Sequence, residues 1–226
     1  DALSLQGLGT GTVVLGIHIA APGLAVQPGD ALDELARARL STVYMPGYKI
    51  TMLPDEVVRI YTLDEGRANP AVSLYVTVDE ATLAITASET RLERVPVTVN
   101  LRHDQLDHIV TEQWLNDASI QHEDTPQRLL ELREQLSFLY KLAKQLKAGR
   151  EQVRGKPETF NRPDYNFRLE GNNKAEPQGS ETVRISTRQR GAPLDLIVAE
   201  AAIVANSHWG QMLAEHGVPG IYRSQA

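Results

Sequence analysis

Cysteine is absent from this chain of 226 residues, which excludes disulfides and thiolate metal sites and fits a reducing compartment, the cytoplasm being the expected one. No apolar run approaches the ~20 residues needed to cross a bilayer, and no basic-then-apolar segment opens the chain, so no membrane partner is expected. Walker loops, dinucleotide fingerprints, HExxH and GxSxG motifs are all missing, which removes the enzyme classes recognisable from one short signature. A net charge of −6 argues against a generally basic nucleic-acid coat. It leaves room for a local basic groove, because fields depend on where charges sit. What is present is a globular composition, 42% hydrophobic, long enough for one large domain or two small ones.

"DALSLQGLGTGTVVLGIHIA" alternates apolar and polar residues on either side of a Gly/Thr cluster. That pattern predicts a β-hairpin whose second strand, Thr12 to Ala20, is apolar enough to be central. Asp30 precedes "ALDELARARL", a short helix with an acidic first turn. "RLSTVYMPGYKITMLP" mixes proline, glycine and two tyrosines and predicts a rigid, irregular loop rather than a helix or strand. "PDEVVRIYTL" offers one or two helical turns starting at Pro54. A second hairpin should turn around Asp79 and Glu80, with Val, Tyr, Ile and Thr at strand spacing.

The middle of the chain reads as helical. "HDQLDHIVTEQWL" is one candidate, and "TPQRLLELREQLSFLYKLAKQLKAGREQVRG" is the clearest. In the latter, Thr125 is the expected N-cap, Pro126 takes N1, the leucines from Leu129 to Leu146 form an apolar stripe, and Gly155 ends the helix. Strands follow at "NFRLEG" and "ETVRISTRQR", with a polar loop over 171–180 between them. A last helix should run from about Pro193 to His216, with Gly217 beyond its end. The order β-β-α-β-β-α-α-β-β-α predicts an α+β fold, a mixed or antiparallel sheet packed with helices, rather than βαβ winding.

Three groups of residues are candidates for chemistry. His103, Asp104, Asp107 and His108 would lie on neighbouring turns of a helix within reach of one metal, although such clusters are more often a solvated face. Lys141 to Lys156 holds six basic residues and one acid. That is the usual dipole-compensating helix end, with phosphate contact as the functional alternative. Tyr44, Tyr48 and Phe160 are ordinarily core fillers; the alternative is a platform on which flat ligands stack.

Four segments in order carry a family resemblance: "DALSL…VVLGIHIA", "LDELARARLSTVYMPGYKITMLP", "GREQVRGKPETFNRPDYNF" and "DLIVAEAAIVANSHWGQMLAEHGVPGIYR". Together they resemble the RNB catalytic domain of the ribonuclease II/ribonuclease R family over essentially the whole chain. The resemblance places residues 1–226 within a single RNB domain, cut at both ends. Position 1 is Asp1 rather than methionine, and its strand reads as already under way. The family hydrolyses single-stranded RNA from the 3′ end to nucleoside 5′-monophosphates with divalent metal, Mg²⁺ or also Mn²⁺, held by clustered carboxylates. Family members usually carry flanking β-barrel RNA-binding domains of the OB and S1 type, so the rest of the same enzyme and single-stranded RNA are the implied partners.

The resemblance also assigns residues. Asp1 corresponds to the last aspartate of the family's metal-holding run and is the implied catalytic and metal residue. Tyr44 matches a tyrosine that stacks on RNA near the catalytic end, and Phe160 falls within one position of the aromatic on the other side of the terminal bases. His103 stands where relatives commonly have a tyrosine, and Ala199 where they have a glutamate, both of which grip the terminal ribose. Glu200 aligns with an acidic position on the last helix, with an RNA-binding or a structural role. Tyr48 is left to the core, and Ala21 replaces a carboxylate taken to be structural. The alternative implied by the same resemblance is a non-catalytic RNB-like module that binds RNA or protein.

Overall fold

The computed structural model describes residues 1–158, 164–171, 179–188 and 191–222. Strands β1 (Ala2–Gln6) and β2 (Thr12–Ala20) form the first hairpin, and β5 (Ala68–Asp79) and β6 (Ile85–Pro96) the second. They join in one antiparallel sheet of order β1-β2-β5-β6, which makes β2 an inner strand as its apolar content requires. Side chains alternate across the sheet. Val13, Leu15 and Ile17 of β2 and Leu74, Val76 and Val78 of β5 form its buried apolar face.

Helices cover that face. Helix α4 (Glu112–Asn116) contributes Trp114, α6 (Arg133–Arg154) contributes Leu136, Leu139 and Leu142, and α7 (Pro193–Glu215) contributes Ile197, Ala201 and Val204. One antiparallel sheet whose apolar face is covered by α4, α6 and α7 is an α+β arrangement, as the element order predicts. Helix α1 (Ala31–Arg39) is capped by Asp30, whose side chain accepts from the Asp33 amide, and α2 (Asp55–Tyr61) follows Pro54. Among the described residues no helix is long and apolar enough to cross a membrane.

Three local expectations change. The clearest helix does not start from a Thr125 cap: Pro126 is the N-cap of a short α5 (Gln127–Glu131), and α6 begins after Leu132. The Thr125 hydroxyl oxygen is buried without a hydrogen-bond partner among the described residues, so it satisfies no helix amide. "HDQLDHIVTEQWL" is not one helix but two, α3 (His103–Leu106) and α4, because Thr111 caps a new helix by accepting from the Trp114 amide. The stretch expected to be an irregular loop contains strands β3 (Val43–Met45) and β4 (Tyr48–Ile50), paired as a small hairpin. A further two-stranded hairpin comprises β7 (Asp164–Glu170) and β8 (Thr182–Arg188), close to the positions predicted. Helix α6 ends at Gly155 in the left-handed conformation, and α7 ends before Gly217, which also has positive φ.

Candidate nucleic-acid interface

The β3–β4 hairpin holds the most exposed of the candidate aromatics. Its turn is Met45-Pro46-Gly47-Tyr48, with proline at the second position and Gly47 at φ +70° in the third. This fits a type II turn, whose twist splays hairpin strands and limits their pairing to three residues a side. The register sets Val43 opposite Ile50, Tyr44 opposite Lys49, and Met45 opposite Tyr48. Val43, Met45, Tyr48 and Ile50 therefore share one face, while Tyr44 and Lys49 share the other.

Both ends of the hairpin are anchored. At its base, Arg39 Nη1 donates to the Thr51 carbonyl at 2.7 Å and the Met52 amide donates to Thr42 Oγ1 at 3.2 Å. Thr51 Oγ1 lies 2.6 Å from the Leu53 carbonyl and 3.0 Å from Asp55 Oδ1. At its tip, Leu169 of β7 packs so closely on Gly47 that a Cβ there would collide with its Cδ1. Tyr44 is 79% exposed on this fixed support, so it is not a core filler. Tyr48, assigned to the core from sequence, is 49% exposed. Its three-residue strand lies outside the main sheet, in the separate β3–β4 hairpin.

Glu200 occupies a different environment. It is 1% exposed on α7, and both of its carboxylate oxygens are engaged by Arg150 of α6: Nε donates to Oε2 at 3.2 Å and Nη2 pairs with Oε1. Arg150 Nη2 also reaches Glu158 Oε2 at 3.2 Å, and the Glu158 amide donates to Glu151 Oε1 at 2.7 Å. The Glu200 carboxylate pushes the Arg150 guanidinium pKa further up, against the opposing effect of burial. The triad thus ties α6 to α7 and to the chain leading out of α6 toward position 160. Of the basic run on α6, Lys144 pairs with Glu112 at 2.6 Å and Lys147 with Glu151 at 3.5 Å. Three of its members, with Arg150, are engaged within the fold rather than offered to phosphate.

Asp1 is exposed, one residue before β1. Its carboxylate is a hard oxygen donor of the kind Mg²⁺ prefers. Among the described residues no group of three or more His, Asp or Glu side chains is placed to hold a metal ion; the predicted cluster of His103, Asp104, Asp107 and His108 falls partly outside them. His103 opens α3, but its side chain, and that of Asp104, lie outside the described residues, as does Phe160. No hydrogen bond or ion pair joins Asp1, Tyr44 and Glu200 among the described residues.

Sequence reasoning missed two residues, Lys49 and Arg150. The period-2 alternation of "VYM" and "YKI" around Pro-Gly carried the signal for the first. Nothing local signalled the second, because Arg150 and Glu200 are 50 positions apart. A third polar cluster sits on the sheet face opposite α4, α6 and α7, where His18 Nδ1 lies 2.8 Å from Ser73 Oγ and Nε2 lies 2.9 Å from Ser4 Oγ. Burial pushes the His18 pKa down, against a smaller upward pull from Glu93. Gly16 is required beside it, since a Cβ there would stand 2.8 Å from His18 Nε2.

Comparison with known proteins agrees with this architecture. Exoribonuclease 2 of Vibrio parahaemolyticus is 28% identical over 230 residues, covering all of this chain and 31% of its own length. Exoribonuclease 2 of Serratia proteamaculans is 39% identical over 79 residues, 34% of this chain and 12% of its own. The chain therefore spans about a third of the length of the relatives that cover it fully. Among solved structures, an active-site mutant of the Dss1 exoribonuclease from Candida glabrata superposes with a TM-score of 0.77 at 19% identity, covering 100% of this chain and 30% of that one. Mycoplasma genitalium RNase R in complex with double-stranded RNA gives 0.72 at 17%, covering 96% and 35%. The RNB domain family matches residues 1–226, and the chain belongs to that family of ribonuclease domains.

Proposed function

We propose that this chain is part of the catalytic domain of a 3′→5′ hydrolytic exoribonuclease that degrades single-stranded RNA to nucleoside 5′-monophosphates. The observation that carries the reading is Tyr44, exposed on a hairpin anchored at base and tip in a chain of the RNB family. Base–aromatic stacking contributes roughly 1–3 kcal/mol per base and is indifferent to sequence, which suits a degrader that must grip every nucleotide alike. In this reading Phe160 stacks from the other side, and His103 hydrogen-bonds the terminal 2′-hydroxyl. Glu200 acts as a positioning residue through Arg150 and Glu158. Asp1 is one of several carboxylates that hold Mg²⁺ or Mn²⁺. The others come from the remainder of the same enzyme, which also supplies OB- and S1-type RNA-binding domains, and the enzyme works in the cytoplasm. Capture of Mycoplasma genitalium RNase R with ribose-methylated single-stranded RNA supports the substrate class.

The second reading is a non-catalytic RNB-like module that binds RNA or protein. Yeast Ssd1, a pseudonuclease, shares the fold over 70% of this chain with a TM-score of 0.51, so the fold alone does not select between the two. Asp1→Asn in the intact enzyme discriminates them. Turnover of 5′-labelled single-stranded RNA with saturating Mg²⁺ should collapse while RNA binding is kept, because binding rests on stacking and distributed phosphate contacts. Turnover by the Asn variant at the wild-type rate would remove Asp1 from the catalytic centre. No release by the intact wild type would favour the second reading.

A further inference from the structure

We infer that Lys49 supplies the phosphate contact of the Tyr44 platform, neutralising the backbone of the same RNA strand whose base stacks on the ring. The inference rests on the stacking reading of Tyr44 and extends it. In the β3–β4 register Lys49 stands directly opposite Tyr44. Directly opposed residues have Cβ atoms about 4.5–5.5 Å apart and project from the same face, here the one opposite Val43, Met45, Tyr48 and Ile50. Tyr44 and Lys49 thus form an aromatic–cation pair set apart from the apolar side.

The state of the lysine is the second observation. Lys49 is exposed, and among the described residues it makes no ion pair. Arg37, Arg91, Arg128, Lys144 and Arg150 all have acidic partners. Lys49 is thus a cation left without an ion pair beside an exposed ring, in a chain of net charge −6. Lysine is a compact charge on a flexible four-carbon stem, so it can follow a sugar–phosphate chain as bases move past a fixed ring. The anchors at Thr51, Thr42 and Gly47 hold the hairpin that carries the ring, leaving the lysine stem as the more adaptable part. Aromatic stacking joined to backbone neutralisation is how single-stranded nucleic acid is held without sequence preference.

The test is the salt dependence of binding by the intact enzyme, with EDTA present so that the RNA survives, using a short fluorescent oligoribonucleotide. One single-strand phosphate contact contributes about 0.7 to the slope of log K against log salt. Lys49→Gln should lower that slope by about 0.7, so its affinity deficit should shrink about 2.6-fold between 50 and 200 mM salt. Lys49→Arg should keep the wild-type slope, and Tyr44→Ala should weaken binding without changing it. An unchanged slope in Lys49→Gln, with Tyr44→Ala still weakened, would overturn the lysine contact and leave the platform standing. If neither variant alters affinity, the stacking reading falls and the inference falls with it. Lys49 is exposed, so matching thermal melts will show that the variants are folded.

Discussion

Removing the guanidinium of Arg150 by an Arg150→Met substitution should expose how much of this fold depends on one buried ion pair. The Glu200 carboxylate is almost wholly excluded from water, and both oxygens are engaged by Arg150. Leaving a buried charge without its partner typically costs about 3–5 kcal/mol. The Arg150 side chain retains 32% exposure, which admits some water to the site. The lower end, about 3 kcal/mol, is therefore expected. For a cooperative unit of 150–250 residues, that corresponds to a fall in Tm of about 6–12 °C. Glu200→Leu should cost less, because Arg150 keeps Glu158 and access to solvent. The double variant, Arg150→Met with Glu200→Leu, replaces the pair with apolar groups of similar size, a change that is often neutral or stabilising. The assay is a double-mutant cycle by thermal melting of the intact protein. A strongly favourable double variant, far from the sum of the singles, is the expected result. If the two single effects add, Arg150 and Glu200 are not acting as a unit, and the positioning role given to Glu200 is wrong.

Tyr44→Ala should lengthen the limit product by a nucleotide or more, with little change in initial rate on long RNA and a stability change within about 0.5 kcal/mol, since the ring is exposed. Tyr44→Phe should behave as wild type. A denaturing gel beside a thermal melt reads both, and an unchanged product ladder with a large fall in Tm would refute the platform. A third expectation concerns acid stability. His18 faces Ser4, Ser73, Tyr75 and Glu93, and burial lowers its pKa below the unfolded value. The unfolded chain therefore binds a proton first. The stability from neutral His18 is complete above about pH 6.5 and declines as pH falls toward the folded pKa, by at most ~1.4 kcal/mol per pH unit. Glu93, held low chiefly by the Ser73 hydroxyl, adds its own loss only in the more acidic carboxylate range. His18→Gln should flatten the melting profile just below pH 6.5; an unaltered slope would show that His18 is not the titrating group.

Much of the fold follows from local pattern. The hairpins β1–β2 and β5–β6 are written in period-2 alternation around Gly/Thr and Asp-Glu turns, and β2 betrays its inner position by a run from Val13 to Ile19 in which His18 is the one polar side chain. Asp30, Gly155 and Gly217 mark helix ends because caps depend on a few adjacent backbone groups. Local pattern fails where neighbours across the fold decide. Leu132 lies on a continuous leucine stripe, yet the helix is interrupted there. Pro46 and Gly47 suggest loop, yet close a hairpin steadied by Leu169, 122 positions away.

The candidate site divides in the same way. Asp1, Tyr44, Phe160, His103 and Glu200 were identified as a set by resemblance in sequence, because residue type and motif order survive in one dimension. Exposure does not. Tyr44 and Tyr48 lie four residues apart with the same side chain, and the sequence reading left Tyr48 to the core; the hairpin leaves both exposed and turns only Tyr44 toward Lys49. Glu200 could be named from sequence, but its burial and its hold on Arg150 come from the packing of α7 on α6. A charge's environment is set by whatever the chain brings beside it from afar, and that proximity is decided only when the tertiary structure forms.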